Sequence, residues 1–195
     1  MNYNYKILIP NLQMPQLKLD VPYYSQLNND TNYFGAGWRQ CNVTSNAMAL
    51  AFLVKDFEER SRKNEFNEPE SYLASKWNIY GDTTNHQAGT KALNNHFNLR
   101  SEWRYDLSKR RVQDLLSNGK PVPMGVAYKH SGHIICVVGY DDKGFFVHDP
   151  YGIRDGANDV YTVGANGAYD HFSWSLCDQV IFDGGINSAW GRVFY

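Results

Sequence analysis

The stretch Gly132-His133-Ile134-Ile135-Cys136-Val137-Val138-Gly139-Tyr140-Asp141-Asp142-Lys143-Gly144-Phe145-Phe146-Val147-His148-Asp149-Pro150 reads as two apolar β runs joined by a turn. Asp141-Asp142-Lys143-Gly144 is a hairpin signal inside a β segment that begins at Val122. His133 opens the first run and Asp149 ends the second, so the hairpin brings both to one edge of an antiparallel sheet. Register decides which of them share a face. An unbulged two-residue loop would put Asp149 opposite Cys136 and His148 on the face of His133. A three-residue loop or a bulge moves the pairing by one and places Asp149 there instead, diagonally adjacent to His133. We expect the shifted register.

Far upstream, the apolar positions Val43, Ala47, Leu50, Ala51, Val54 and Phe57 recur at helical spacing, which predicts a helix buried along one face with Cys41 at its N-terminus. Unpaired N–H groups and the helix dipole stabilise a thiolate there by roughly 0.3 to 1 kcal/mol. The other two cysteines differ. Cys136 lies in an apolar run and Cys177 follows Trp174 and Leu176, whereas Cys41 stands among Arg39, Gln40, Asn42 and Thr44. One reading makes Cys41, His133 and Asp149 a nucleophile, a base and an orienter. The other makes them a small buried residue, a polar strand edge and an Asp-Pro turn. His130 and His133 have a metal-like spacing without a paired-cysteine motif, and Asp155-Gly156-Ala157-Asn158-Asp159 resembles a calcium-loop fragment without its closing glutamate. Neither a metal nor a cofactor is expected.

Four segments in order carry a family resemblance: Val21-Pro22-Tyr23-Tyr24-Ser25-Gln26, Cys41-Asn42-Val43-Thr44-Ser45-Asn46-Ala47-Met48, Gly132-His133 through Val138-Gly139-Tyr140, and Val147-His148-Asp149-Pro150-Tyr151-Gly152. Together they resemble a papain-fold cysteine peptidase and, more narrowly, the bacteriocin-processing, double-glycine-type cysteine peptidase family thirty-nine. The likeness runs from Leu19 to the aromatic C-terminal segment, where Phe182-Asp183-Gly184-Gly185 and Trp190-Gly191-Arg192-Val193 resemble the closing strand. It implies Cys41 as nucleophile, His133 as base and acid, Asp149 as orienter, and an upstream glutamine that donates to the oxyanion. Gln26 matches that glutamine, but the gap to Cys41 is long and Gln40 is a second candidate. Trp38, Gln40 and Tyr151 are the candidate substrate contacts.

The expected architecture is α+β, with a helical half carrying Cys41 packed on an antiparallel sheet carrying His133 and Asp149. With 195 residues, one domain over residues 21–195 behind an N-terminal arm of residues 1–20 is expected. The arm contains the apolar run Ile7-Leu8-Ile9 and an edge-strand pattern at Leu17 to Val21. Further on, a polar surface connection is expected from Glu58 to Pro69, then helices from Pro69 to Trp77, Thr84 to Phe97 and Ser108 to Gly119. Gly152 to Gly167 reads as a long loop forming one wall of a cleft.

A net charge of −1 offers no pull toward nucleic acid or anionic lipid. Aromatic residues make up 15% of the chain, enough to line a groove for an extended peptide or glycan. No apolar run is long enough to span a membrane, no leader pattern is present, and three cysteines without framework spacing suit a reducing compartment. A cytoplasmically made hydrolase is therefore expected, cutting a peptide that a bacterial or bacteriophage setting would supply from peptidoglycan. An acyl or peptidyl transferase using the same residues, and a silent peptide- or glycan-binding module, are the rival readings.

Overall fold

The computed structural model describes residues 16–128, 131–155 and 160–195. The Ile7-Leu8-Ile9 run, His130 and positions 156–159 of the calcium-like segment lie outside them. In chain order the elements are β1 (Leu17–Lys18), α1 (Thr31–Phe34), α2 (Cys41–Leu53), α3 (Phe57–Lys63), α4 (Pro69–Trp77), α5 (His86–Phe97), β2 (Ser101–Leu107), α6 (Lys109–Ser117), β3 (Val122–Tyr128), β4 (Ser131–Tyr140), β5 (Gly144–His148), β6 (Gly152–Asp155), β7 (Val160–Val163), β8 (Asp170–Ser173), α7 (Trp174–Val180) and β9 (Ala189–Phe194). Two short 3-10 turns, Gln26–Asn28 and Gly37–Arg39, precede α2.

The main sheet is antiparallel, with strand order β2-β9-β3-β4-β5-β8 and β1 continuing the β3 side of β4. Helices cover both faces. Cys136, Val138 and Phe146 pack with Ala47, Met48 and Leu50 of α2 and with α4 and α5, while Ile135, Val137, Phe145 and Val147 pack with α6 and α7. This two-sided burial is why Ile134 to Val138 reads as a continuous apolar run rather than an alternating one. Each large apolar side chain so buried contributes about 1.5 to 3 kcal/mol before ordering entropy is subtracted.

Several expectations need correction. Helix α2 is not a one-face amphipath, because every residue from Asn42 to Leu50 is buried, polar ones included. Thr44 and Asn46 donate to carbonyls of the preceding turn and Ser45 Oγ donates to Ile134 O at 3.0 Å, so these side-chain donors enter the core paired, while the Asn46 amide oxygen is buried without a partner among the described residues. The expected connection from Glu58 to Pro69 starts as helix α3, whose Phe57 and Ser61 are buried, whose Arg60 donates to His96 O at 2.7 Å, and whose Glu59, Arg62 and Lys63 are exposed. Asn85 caps α5 by accepting from Gln87 N and Ala88 N, and the helix therefore starts at His86 rather than Thr84. The Gly152–Gly167 stretch holds a two-stranded hairpin, β6 paired with β7, instead of a structureless loop. Phe182 to Gly185 is a turn, and only Ala189–Phe194 forms the closing strand. Helix α4 and the Ser108 cap of α6 lie where expected.

Candidate active site

The β4–β5 hairpin has the shifted register at the end that matters. Near the turn, Tyr140 pairs with Phe145 and Gly139 with Phe146; an irregularity between Val137 and Gly139 then moves the pairing, so that Val137 meets Val147 and Cys136 meets His148. The extra residue of the bulge puts His148 and Asp149 on opposite faces from those an unbulged two-residue turn would give them. Asp149 accordingly reaches His133, whose Nε2 lies 2.7 Å from Asp149 Oδ1. His148 is engaged elsewhere. Its Nε2 bonds to Val21 O at 2.9 Å and its Nδ1 accepts from Tyr169 N at 3.0 Å, so it is fully buried with both ring nitrogens occupied.

Cys41 is the first residue of α2 and is partly exposed. The bond from Ser45 Oγ to Ile134 O, one turn along the helix, fastens the helix start to the strand residue next to His133. Since Nε2 of His133 is committed to Asp149, Nδ1 is the nitrogen that remains for the thiol. Burial by itself would push the Cys41 thiol up, but the His133 charge, a hydrogen bond to that ring and another with the Ile134 backbone outweigh it and hold the thiol below its ordinary 9.0. For His133, burial opposes protonation, yet the Asp149 carboxylate and then the Cys41 thiolate outweigh it and raise the imidazole above its ordinary 6.5. The other thiols go the opposite way: burial drives Cys136 far upward and Cys177 up to about 12. The arrangement therefore favours a thiolate–imidazolium pair at one cysteine among three.

Asp149 is held by more than His133. Its Oδ1 also accepts from Tyr151 N at 3.0 Å, its Oδ2 accepts from Tyr161 OH at 2.7 Å, and its carbonyl accepts from Tyr23 OH at 3.0 Å. The His133 ring lies among Tyr128, Tyr151 and Tyr161 at centroid distances of 5.9, 6.4 and 6.0 Å. These rings limit water access to the His133–Asp149 bond. From sequence Tyr151 is expected only as a substrate contact, and Tyr128 and Tyr161 are given no role there. Val160-Tyr161-Thr162-Val163 is a β-branched and aromatic run, and that strand signal would have placed Tyr161 in a hairpin over the site.

A cleft runs to both sides of Cys41. On one side, a cavity of about 410 Å³ is lined by Gln26, Trp38, Tyr128, Tyr151 and Tyr161; on the other, one of about 190 Å³ is lined by Asn42, Thr83, His86, Ile134 and Trp190. Cys41, His133, Arg39, Thr84 and Gly132 line both. Gln26, Trp38 and Tyr151 thus lie in the cleft with the thiol. Gln26 Nε2 donates one proton to Gly37 O at 2.8 Å, which leaves its second N–H. Gly37 must be small, since a Cβ there would come within 2.4 Å of the Gln26 carbonyl oxygen. Gln40 does not share the cleft. It is fully buried, and its Nε2 donates to Asp30 O at 3.0 Å and Gly35 O at 2.8 Å, bracing the loop that precedes α2.

Among the described residues, no group of three or more His, Cys, Asp or Glu side chains could hold a metal ion, and no helix is long and apolar enough to cross a membrane. By sequence, the chain matches the Peptidase_C39 like family over residues 18–178. Among solved structures it is similar to a protein from Bacillus anthracis described as a C39-like peptidase, with a TM-score of 0.48 and 16% identity over 92% of this chain and 98% of that one. No curated protein matches it.

Proposed function

The chain belongs to the C39-like peptidase family, and on that footing we propose that it is a thiol peptidase in which Cys41 is the nucleophile, His133 the general base and acid, and Asp149 the residue that orients the imidazole. The observation that carries this reading is the 2.7 Å bond between His133 Nε2 and Asp149 Oδ1 beside a thiol whose pKa is lowered at a helix N-terminus.

The Cys41 thiolate attacks the carbonyl carbon of a peptide bond, forming a C–S bond and an oxyanion. The Cys41 backbone N–H and the second N–H of Gln26 Nε2 receive that oxyanion, and Gln40, with both amide protons committed, does not compete for the role. Protonated His133 gives its proton to the departing amine as the C–N bond breaks. Neutral His133 then takes a proton from water, which attacks the thioester and returns the thiol. Asp149 keeps Nδ1 of the ring aimed at sulfur throughout. Trp38 and Tyr151 offer flat surfaces for an extended peptide, and peptidoglycan stem peptides are the substrate class to try first.

The test pairs labelling with turnover. Iodoacetamide alkylation, followed by peptide mass spectrometry from pH 5 to 9, should label Cys41 rapidly at neutral pH while Cys136 and Cys177 stay unmodified, and His133→Ala should slow it. Cys41→Ala should abolish cleavage of peptide and peptidoglycan substrates. Cys41 labelling no faster than a free thiol, with no cleavage, would replace this reading with the silent binding module.

A further inference from the structure

Behind the smaller cavity beside Cys41, bonded to the backbone of its lining residue His86, lies a positive charge that meets no carboxylate among the described residues. Arg192 of β9 is fully buried. Its guanidinium donates to Thr90 Oγ1 at 2.8 Å, Ser101 Oγ at 3.4 Å and His86 O at 3.1 Å, all neutral acceptors, and it lies near the rings of Trp77 and Trp103. Burial lowers its pKa to about 9, so it remains charged at neutral pH. A buried cation without a counter-charge costs several kcal/mol of desolvation. Packing enforces its position, because a Cβ on Gly89 would fall within 2.7 Å of the guanidinium and 2.3 Å of Trp77.

His86 connects this charge to the cavity. Its ring lines the cavity and stacks on Trp103 with centroids 3.7 Å apart. The Asn42 amide nitrogen is 3.3 Å from His86 Nδ1, making Nδ1 an acceptor and placing the ring proton on Nε2, which has no protein partner among the described residues. Burial and the Arg192 charge keep the ring neutral. Thr83, also in the lining, is buried with its hydroxyl unpartnered. No carboxylate lines the cavity. Arg39 on its rim pairs with Asp82 at 3.5 Å and His133 with Asp149; the Cys41 thiolate is then the anion facing the cavity, and Arg192 behind His86 is a cation that bonds to no carboxylate among the described residues.

Resting on the peptidase reading above, we propose that this cavity is an acidic-residue subsite: it receives a carboxylate side chain of the peptide substrate next to the scissile bond, with His86 Nε2–H as the donor and Arg192 as the counter-charge behind it. An amide side chain of the same shape would fit but would leave the Arg192 field unanswered.

The experiment compares alkylation of Cys41 by iodoacetate with that by iodoacetamide at pH 7 in the whole protein, each rate divided by that of N-acetylcysteine. The expected normalised ratio favours the anionic reagent. His133 contributes to that preference in every variant, so the decisive quantity is its several-fold fall in Arg192→Met and in His86→Gln. His86→Gln keeps the buried cation and its backbone carbonyl acceptor at position 86, and so guards against a misfolded Arg192 variant. Peptide pairs differing only by Glu or Gln on either side of the cleaved bond should show higher kcat/KM for Glu at one position, with the preference shrinking in His86→Gln. A parent ratio no greater than that of N-acetylcysteine, or one unchanged in His86→Gln, overturns the subsite. Slow iodoacetamide labelling would instead sink the peptidase reading, and the reagent ratio would still decide the subsite.

Discussion

Tyr161 OH donates to Asp149 Oδ2 at 2.7 Å, across from the Oδ1 that meets His133. The β6–β7 hairpin thereby reaches back onto the carboxylate bonded to His133. A hydrogen bond to a charged group contributes about 1.5 to 3 kcal/mol. Tyr161→Phe keeps the ring contacts and removes this bond. We expect kcat to fall roughly tenfold or more with KM little changed, measured by steady-state kinetics on a cleaved peptide. A rise in KM alone would make Tyr161 a wall residue only.

Gln26→Ala should lower kcat by about a hundred- to a thousandfold while Cys41 still reacts rapidly with iodoacetamide, because the lost donor serves the oxyanion and not the thiolate. Gln40→Ala should act differently, lowering stability through its two buried backbone bonds. Wild-type turnover in Gln26→Ala would remove the glutamine from the oxyanion site.

Gly37→Ala should reproduce part of the Gln26→Ala defect without removing any polar side chain. The added Cβ would come within 2.4 Å of the Gln26 carbonyl oxygen and must displace the 3-10 turn that holds it. Turnover should drop while labelling of Cys41 persists. Unchanged kcat would show that the two turns tolerate the shift.

The pH profile follows from the two opposed shifts. With the thiol pKa lowered and the imidazole pKa raised, the thiolate–imidazolium pair exists between them. The acidic limb of kcat/KM should lie below the ordinary thiol value of 9.0, and the alkaline limb should mark loss of the His133 proton above the ordinary 6.5. Asp149→Asn should move the alkaline limb down, since the carboxylate is the main influence raising His133. An alkaline limb that stays put would exclude His133 as its source.

Glu70, fully buried in α4, has its carboxyl pushed up to about 8 from 4.5, chiefly by burial. The folded state therefore holds a proton that the unfolded state releases above pH 4.5. This group alone makes stability fall by about 1.4 kcal/mol per pH unit between 4.5 and 8. Glu70→Gln should flatten that slope in urea unfolding and gain on the parent as pH rises. Parallel stability curves for the two proteins would rule the assignment out.

The local pattern by itself determined that Cys41 starts a helix, that β4 and β5 form a hairpin, that Pro69 and Ser108 open helices, and that Cys136 and Cys177 belong to the core. Spacing and turn chemistry act over a few residues, so these features are legible in order along the chain. The choice between Asp149 and His148 was half legible, because the turn narrows the register to two options but the bulge before Gly139 selects one. Gly139 is packed so closely on β1 that a Cβ would meet Leu17 O at 2.2 Å, a contact from the far end of the chain. Only the tertiary structure separated Gln26 from Gln40, since both are plausible amide donors until the carbonyls around Gln40 are seen. The same holds for the tyrosines around His133 and for Arg192 behind His86, whose partners come from remote segments. Their roles depend on burial and on long-range neighbours, which no local pattern encodes.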